Sequence, residues 1–276
     1  MLISYSMPGI TAASLTSGTW LTSDGGAALY DGKPARRARL QWAAGAALDG
    51  YVQIALSFAT ATPLRVLALL GTTLPAGVRV DFLGAGGDGL GGTCDNTRTF
   101  TMPDGTTAAW AVARDNEPAE TGCWIRIYND CNGATWAVNG TVVDLGEVWA
   151  GPAVDVPIDV GWSLVPVDPT EVELTRSSQP VIVRRSAYRQ LSCAFSPLPS
   201  GAATVRGGGL ANGMDWGKLD AALRGRARCV AIAQVRTPEA VAATALYGFA
   251  SEIGETQQLR GRFFRKPMQF QEIPAR

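Results

Sequence analysis

From Tyr51 to Phe58 the chain reads YVQIALSF, with Val52, Ile54, Leu56 and Phe58 alternating against Tyr51, Gln53 and Ala55. This period of two predicts a half-buried β-strand. LRVLALLGT (64–72) is almost continuously apolar, so it predicts a strand covered on both faces. Leu67 and Leu69 should lie on one side, and Val66, Ala68 and Leu70 on the other. VRVDFLG (78–84) and CWIRIYND (123–130) alternate again. Between the last of these and the returning segment 134–151 lies Asp130-Cys131-Asn132-Gly133, whose Asn-Gly step tolerates positive φ and predicts a tight hairpin.

Further along, VELTRSSQPVIVRR (172–185) and AYRQLSCAFSPL (187–198) each read as one long strand. Residues 213–228 are the best helix in the chain. Trp216, Leu219, Ala222 and Leu223 fall at helical spacing, Asp215 can cap the start, and Arg224, Arg226 and Arg228 would face the negative dipole end. CVAIAQV (229–235) returns to strand, Thr237-Pro238-Glu239 starts at most a short helical turn, and two further strands close the chain. Many short strands and a single packing helix predict a mostly β fold of antiparallel sandwiches.

The segment 146–169, GEVWAGPAVDVPIDVGWSLVPVDP, divides this pattern. Pro152, Pro157 and Pro166 exclude a long helix, because each removes a donor and restricts its predecessor. Trp149 and Trp162 flank Val154, Val156, Ile158 and Val160, a composition that fits an ordered strap better than a loose linker. We therefore place one domain at 1–150 and a second at 151–276, a division that the length of 276 residues allows.

Composition narrows the chemistry. The chain has no histidine, which removes Ser-His-Asp and Cys-His catalysis and imidazole metal sites. Lys+Arg and Asp+Glu both number 24, so the totals carry no nucleic-acid footprint. Arg36, Arg37 and Arg39 read as a solvated loop. The five cysteines (Cys94, Cys123, Cys131, Cys193, Cys229) lack any CxxC pair, which points to reduced, mostly buried thiols in a chain made in a cytoplasm; a Cys123–Cys131 bridge is the alternative. The start, MLISYSMPGI, has no signal-peptide pattern, and no apolar run is long enough to cross a bilayer.

Four motifs invite a functional reading. Gly84-Ala85-Gly86-Gly87-Asp88-Gly89 matches GxGxxG after a strand, but no helix follows to hold a pyrophosphate, so it reads as a loop and no nucleotide is expected. Asp88, Asp95 and Asn96 form a lone Gly/Asp-rich copy, and a structural Ca²⁺ on loop oxygens stays open. Asp115, Glu117 and Glu120 are acidic enough for carboxylate-only hydrolysis, yet Pro118 and the run's polarity favour a solvated loop. Asn139-Gly140-Thr141 reads as a turn. The eight tryptophans (Trp20, Trp42, Trp110, Trp124, Trp136, Trp149, Trp162, Trp216) could stack on sugars, with core packing the competing reading and Trp110 the one of most interest. No catalytic, cofactor-binding or metal-ligating residue is singled out.

The segment 51–84, followed by CWIRIYND and VVDLGEVWAG, resembles the central and closing strands of the discoidin-like (galactose-binding-like) jelly roll. With the exit at 146–169, it resembles the minor tail and tail-tip (distal-tail-like, baseplate) proteins of tailed bacteriophages. The pattern beyond 155 resembles their tail-tube-like β-sandwich or barrel with one packed helix. The resemblance implies a non-enzymatic structural component of the virion tail tip, made in the host bacterial cytoplasm. It would form a homo-oligomeric ring, with a hexamer favoured and a trimer possible. That ring would connect the tail tube to the hub or receptor-binding apparatus, with strands around Val181–Ala194 and Phe263–Gln271 at the subunit contacts. The alternative is a carbohydrate-binding adhesin whose jelly roll reads a host-surface glycan. Neither reading calls for a cofactor, nucleic-acid sequence recognition or membrane insertion.

Overall fold

The computed structural model describes residues 1–43, 49–84, 98–113, 119–174, 179–199, 210, 214–260 and 263–274. The first strands are β1 (Leu2–Ser4), β2 (Ile10–Thr16), β3 (Gly18–Trp20), β4 (Ala38–Trp42), β5 (Tyr51–Pro63), β6 (Val66–Leu70) and β7 (Val78–Gly84). Then come β8 (Arg98–Thr101), β9 (Ala109–Val112), β10 (Ala119–Cys131), β11 (Ala134–Thr135), β12 (Val142–Leu145) and β13 (Glu147–Gly151). The second half holds β14 (Ala153–Asp155), β15 (Ser163–Val167), β16 (Glu171–Leu174), β17 (Pro180–Val183) and β18 (Tyr188–Pro199). Helix α1 (Trp216–Leu223), β19 (Arg228–Ile232), helix α2 (Pro238–Thr244), β20 (Ala245–Ile253), β21 (Gln257–Arg260) and β22 (Phe263–Glu272) complete it.

Among the described residues all strand pairs are antiparallel. The main sheet of the first half runs β2-β5-β10-β7-β8. Its inner positions Val52, Ile54, Ile125, Ile127, Val80 and Phe82 share one core with β6 and β13 of the sheet β13-β6-β9, and with Leu40 and Trp42 of the sheet β12-β4-β3. β6 is buried at all five positions, as its unbroken apolar run requires. The hairpin forms as expected, with Asn132 and Gly133 at φ 53° and 84°. The result is a mostly β chain with a β-sandwich in its first half.

A large sheet, ordered β14-β1-β19-β20-β22-β18-β15 with β21 beside β22, collects the remaining long strands. It also takes β1, whose Leu2 lies opposite both Asp155 and Ile232. Alternation along its strands feeds two cores. Leu2, Val230, Ile232, Ala245 and Tyr247 join the sandwich core, whereas Ile3, Cys229, Ala231, Leu246 and Phe270 pack with Trp216, Leu219 and Leu223 of α1. The sheet is thus a wall with a core on each face.

The structure corrects four local readings. Residues 172–185 form not one strand but the hairpin β16–β17, with Leu174 opposite Pro180; the intervening sequence TRSSQ offers no apolar alternation to carry a strand through. Helix α1 ends at Leu223, where Arg224 turns to extended backbone (ψ 159°) ahead of Gly225 at φ 69°, and Arg228 lies in β19. Thr237 caps α2 through Ala240 N (3.2 Å) and supports seven residues instead of a single turn. Finally, β18 and β22 have neighbours on both sides, so their backbone edges are filled; among the described residues the open edges of this sheet belong to β14, β15 and β21.

Candidate functional site

The sequence-derived candidates separate cleanly. Gly84 closes β7 opposite Cys123, while the rest of the GxGxxG match and Asp88, Cys94, Asp95, Asn96, Asp115 and Glu117 lie outside the described residues. Glu120 begins β10 opposite Thr62. Asn139 and Gly140 sit in a turn. Cys123, Cys131, Cys193 and Cys229 are free thiols; burial pushes Cys123, Cys193 and Cys229 up to about 12, far from nucleophilic at neutral pH. Among the described residues no cluster of three acidic or thiol ligands could hold a metal ion, and no helix is long and apolar enough to cross a membrane. Arg36 pairs with Asp24 and Asp31, and Arg39, in β4, with Asp144 (2.7 Å).

The tryptophans are mostly core. Trp42, Trp110, Trp149 and Trp216 are buried, Trp42 stacks edge-on with Trp136 at 5.4 Å, and Trp149 donates to Ser4 Oγ at 2.8 Å. Trp124 is different. Its neighbours Cys123 and Ile125 enter the core, so alternation turns Trp124, Arg126 and Tyr128 to the outer face of β10.

That face is ordered by side-chain contacts across three strands. Arg126 Nε donates to Gln53 Oε1 at 2.7 Å, and its guanidinium lies 4.7 Å above the Tyr51 ring. Arg79 sits 4.3 Å above Tyr128 and grips the buried Asp81 at 2.6 and 3.1 Å. The Tyr51 and Tyr128 rings are 5.4 Å apart. Burial first, and the Asp81 charge second, raise the Tyr128 hydroxyl, so it stays a neutral donor. Aromatic rings beside fixed polar groups can stack on a sugar ring while hydrogen-bonding its hydroxyls.

A second feature is a cleft of about 790 Å³ between the sandwich and the large sheet. Trp110, Leu70 and Tyr247 contribute apolar lining, Thr106, Thr107 and Ser186 contribute hydroxyls, and Arg37, Arg184, Arg185 and Arg189 contribute charge. Arg189 is locked: its guanidinium meets Glu272 at 2.5–3.1 Å and Ala245 O, just past the end of α2, at 2.8 Å. Behind the Tyr247 wall, the fully buried Glu147 takes a hydrogen bond from Arg228 at 2.8 Å. Burial pushes Glu147 up to about 7 against the opposing pull of Arg228. Sequence reading missed both features, because Arg126 and Gln53 are 73 residues apart, and Arg189 and Glu272 83.

No protein-family model and no curated protein matches this sequence. Two solved structures are similar to about half of it. One is a histidine mutant of the lectin-binding domain of lectinolysin complexed with Lewis b, 11% identical over 51% of this chain and 91% of that one, with a TM-score of 0.34. The other is CBM32-1 from a family 31 glycoside hydrolase of Clostridium perfringens, 13% identical over 53% of this chain and 98% of that one, with a TM-score of 0.33. The mostly β assignment rests on the sheets described above.

Proposed function

We propose that this chain acts by contact and not by catalysis, as a structural component of a phage tail tip that joins into a ring between the tail tube and the hub or receptor-binding apparatus. The observation that carries this reading is the hairpin β16–β17. Val172, Val181, Ile182 and Val183 are 62%, 45%, 54% and 41% exposed, and among the described residues the hairpin pairs with no other strand. A lone two-stranded hairpin is marginal in water, and an apolar one gains its stability from a partner surface. The open edges of β14 and β15 offer further places for a neighbour to add. The resemblance of 51–84 and 146–169 to tail-tip proteins supports the setting.

Cryo-electron microscopy of intact tails tests the reading. A cyclic homo-oligomer with residues 155–276 at the ring is the expected density. A peripheral spike built from that half would defeat it. Ile182→Asp should remove the protein from assembled tails while leaving the isolated chain folded.

A second, compatible reading is carbohydrate binding by the sandwich, favoured by the outward Trp124 beside the held Arg126 and Tyr128. Titration against neutral and charged saccharides tests it, with Trp124→Ala expected to abolish affinity for a neutral glycan. Retention of full affinity in that variant would assign the sugar to another surface.

A further inference from the structure

The cleft between the sandwich and the large sheet carries a local charge that the whole chain lacks. Four arginines line it against one carboxylate, Glu272, in a molecule whose total charge is zero. Their roles differ. Arg189 is committed to Glu272 and to backbone carbonyls, which makes it a strut. Arg184 and Arg185 are exposed at the rim, directly after β17. Arg185 meets Glu171 at 2.9 Å, and both partners are more than half exposed, so this pair is weakly held and readily exchanged for another anion.

We propose that this cleft binds a short acidic saccharide whose carboxylate or sulfate is held by Arg184 and Arg185. The proposal deepens the carbohydrate-binding reading and rests on it. Guanidinium forks match both anions bidentately. Thr106, Thr107 and Ser186 offer hydroxyl partners, and the Thr106 hydroxyl is oriented by donating to Pro103 O at 2.9 Å, leaving its lone pairs free to accept. Trp110 and Tyr247 back the cleft from the core, at 5% and 4% exposure. A volume of about 790 Å³ lies in the range of small-ligand sites and is too confined for a nucleic-acid duplex. Glu171 occupies Arg185 as an internal carboxylate, which the ligand displaces.

Titration calorimetry on the full chain tests this with three probes of equal length: an oligogalacturonate, a sulfated oligosaccharide and a neutral one. At least one acidic probe should bind, and the comparison of the two tells carboxylate from sulfate. Its affinity should fall steadily as salt rises from about 50 to 500 mM, because both charges are at the rim. The double variant Arg184→Ala/Arg185→Ala should lose at least about tenfold, and Glu171→Gln should gain. Thermal melts of these exposed-site variants report that they stay folded. Equal affinity for the neutral probe, or an unchanged double variant, overturns the cleft assignment. If the neutral probe binds through Trp124 with no acidic preference, the cleft fails and the carbohydrate reading survives. Silence from all three probes defeats both.

Discussion

Glu147 is a buried carboxylate whose protonation is pushed up to about 7. Its carboxylate is buried where β13 meets β19 and β20, facing Arg228, Asp31, Tyr247 and the Gly32 backbone. Because its folded value is raised, Glu147 contributes stability that is complete below the ordinary carboxylate range and is lost as pH rises through about 7. Melting temperature should therefore fall between roughly pH 5 and 8. Glu147→Gln, which keeps the shape and cannot ionise, should flatten that part of the curve. An unchanged slope in the variant would assign the titration elsewhere. Leu69 makes a plainer case: it is fully buried in β6, and Leu69→Ala should cost about 2–5 kcal/mol by chemical denaturation. The sequence exposed Leu69 through its unbroken apolar run. It could not expose Glu147, since an acidic residue before Val148 and Trp149 reads equally well as a solvated strand end.

At the scale of elements, local rules worked where the instructions were local. The Asn132-Gly133 turn follows from its need for positive φ, and Gly133→Ala should cost about 1 kcal/mol by conformation alone, since no neighbour stands where the Cβ would go. Asp215 caps α1 by accepting from Lys218 N at 2.7 Å, and Asp215→Ala should lose about 1 kcal/mol, readable as a lowered denaturation midpoint. The hairpin β16–β17 defeated the same reasoning. Its apolar residues resemble a core strand in one dimension, and only the pairing of Val172 with Ile182 reveals a two-stranded unit that, among the described residues, joins no other strand. The outer face of β10 is similar. Trp124, Arg126 and Tyr128 occupy positions that alternation marks merely as outward, while the order of Arg126 and Tyr128 comes from Tyr51, Gln53 and Arg79 on two other strands.

Over the whole molecule, the large sheet joins what the sequence separates. Leu2 and Ile3 are adjacent in the chain, yet they enter different cores on opposite faces of β1. Both cores therefore lose packing when that strand is disturbed. Leu2→Ala and Ile3→Ala should each lower one common transition by about 2–5 kcal/mol, and calorimetry should record one cooperative unfolding event. Two resolved transitions, with each substitution moving only one, would show that the cores unfold independently.

The sequence by itself determined the mostly β character, most strand positions, the apolar β6, the Asn-Gly turn and the cap of α1. Periodicity and backbone preference act over a few residues, and so they are written in adjacent letters. The shared wall of strands, the Glu147–Arg228 contact, the arginine-lined cleft and the unpartnered hairpin were decided only by the tertiary structure. Each depends on registers that bring together residues tens to more than two hundred positions apart, as when Leu2 lies beside Ile232, and long-range packing of this kind leaves no periodic mark in the chain.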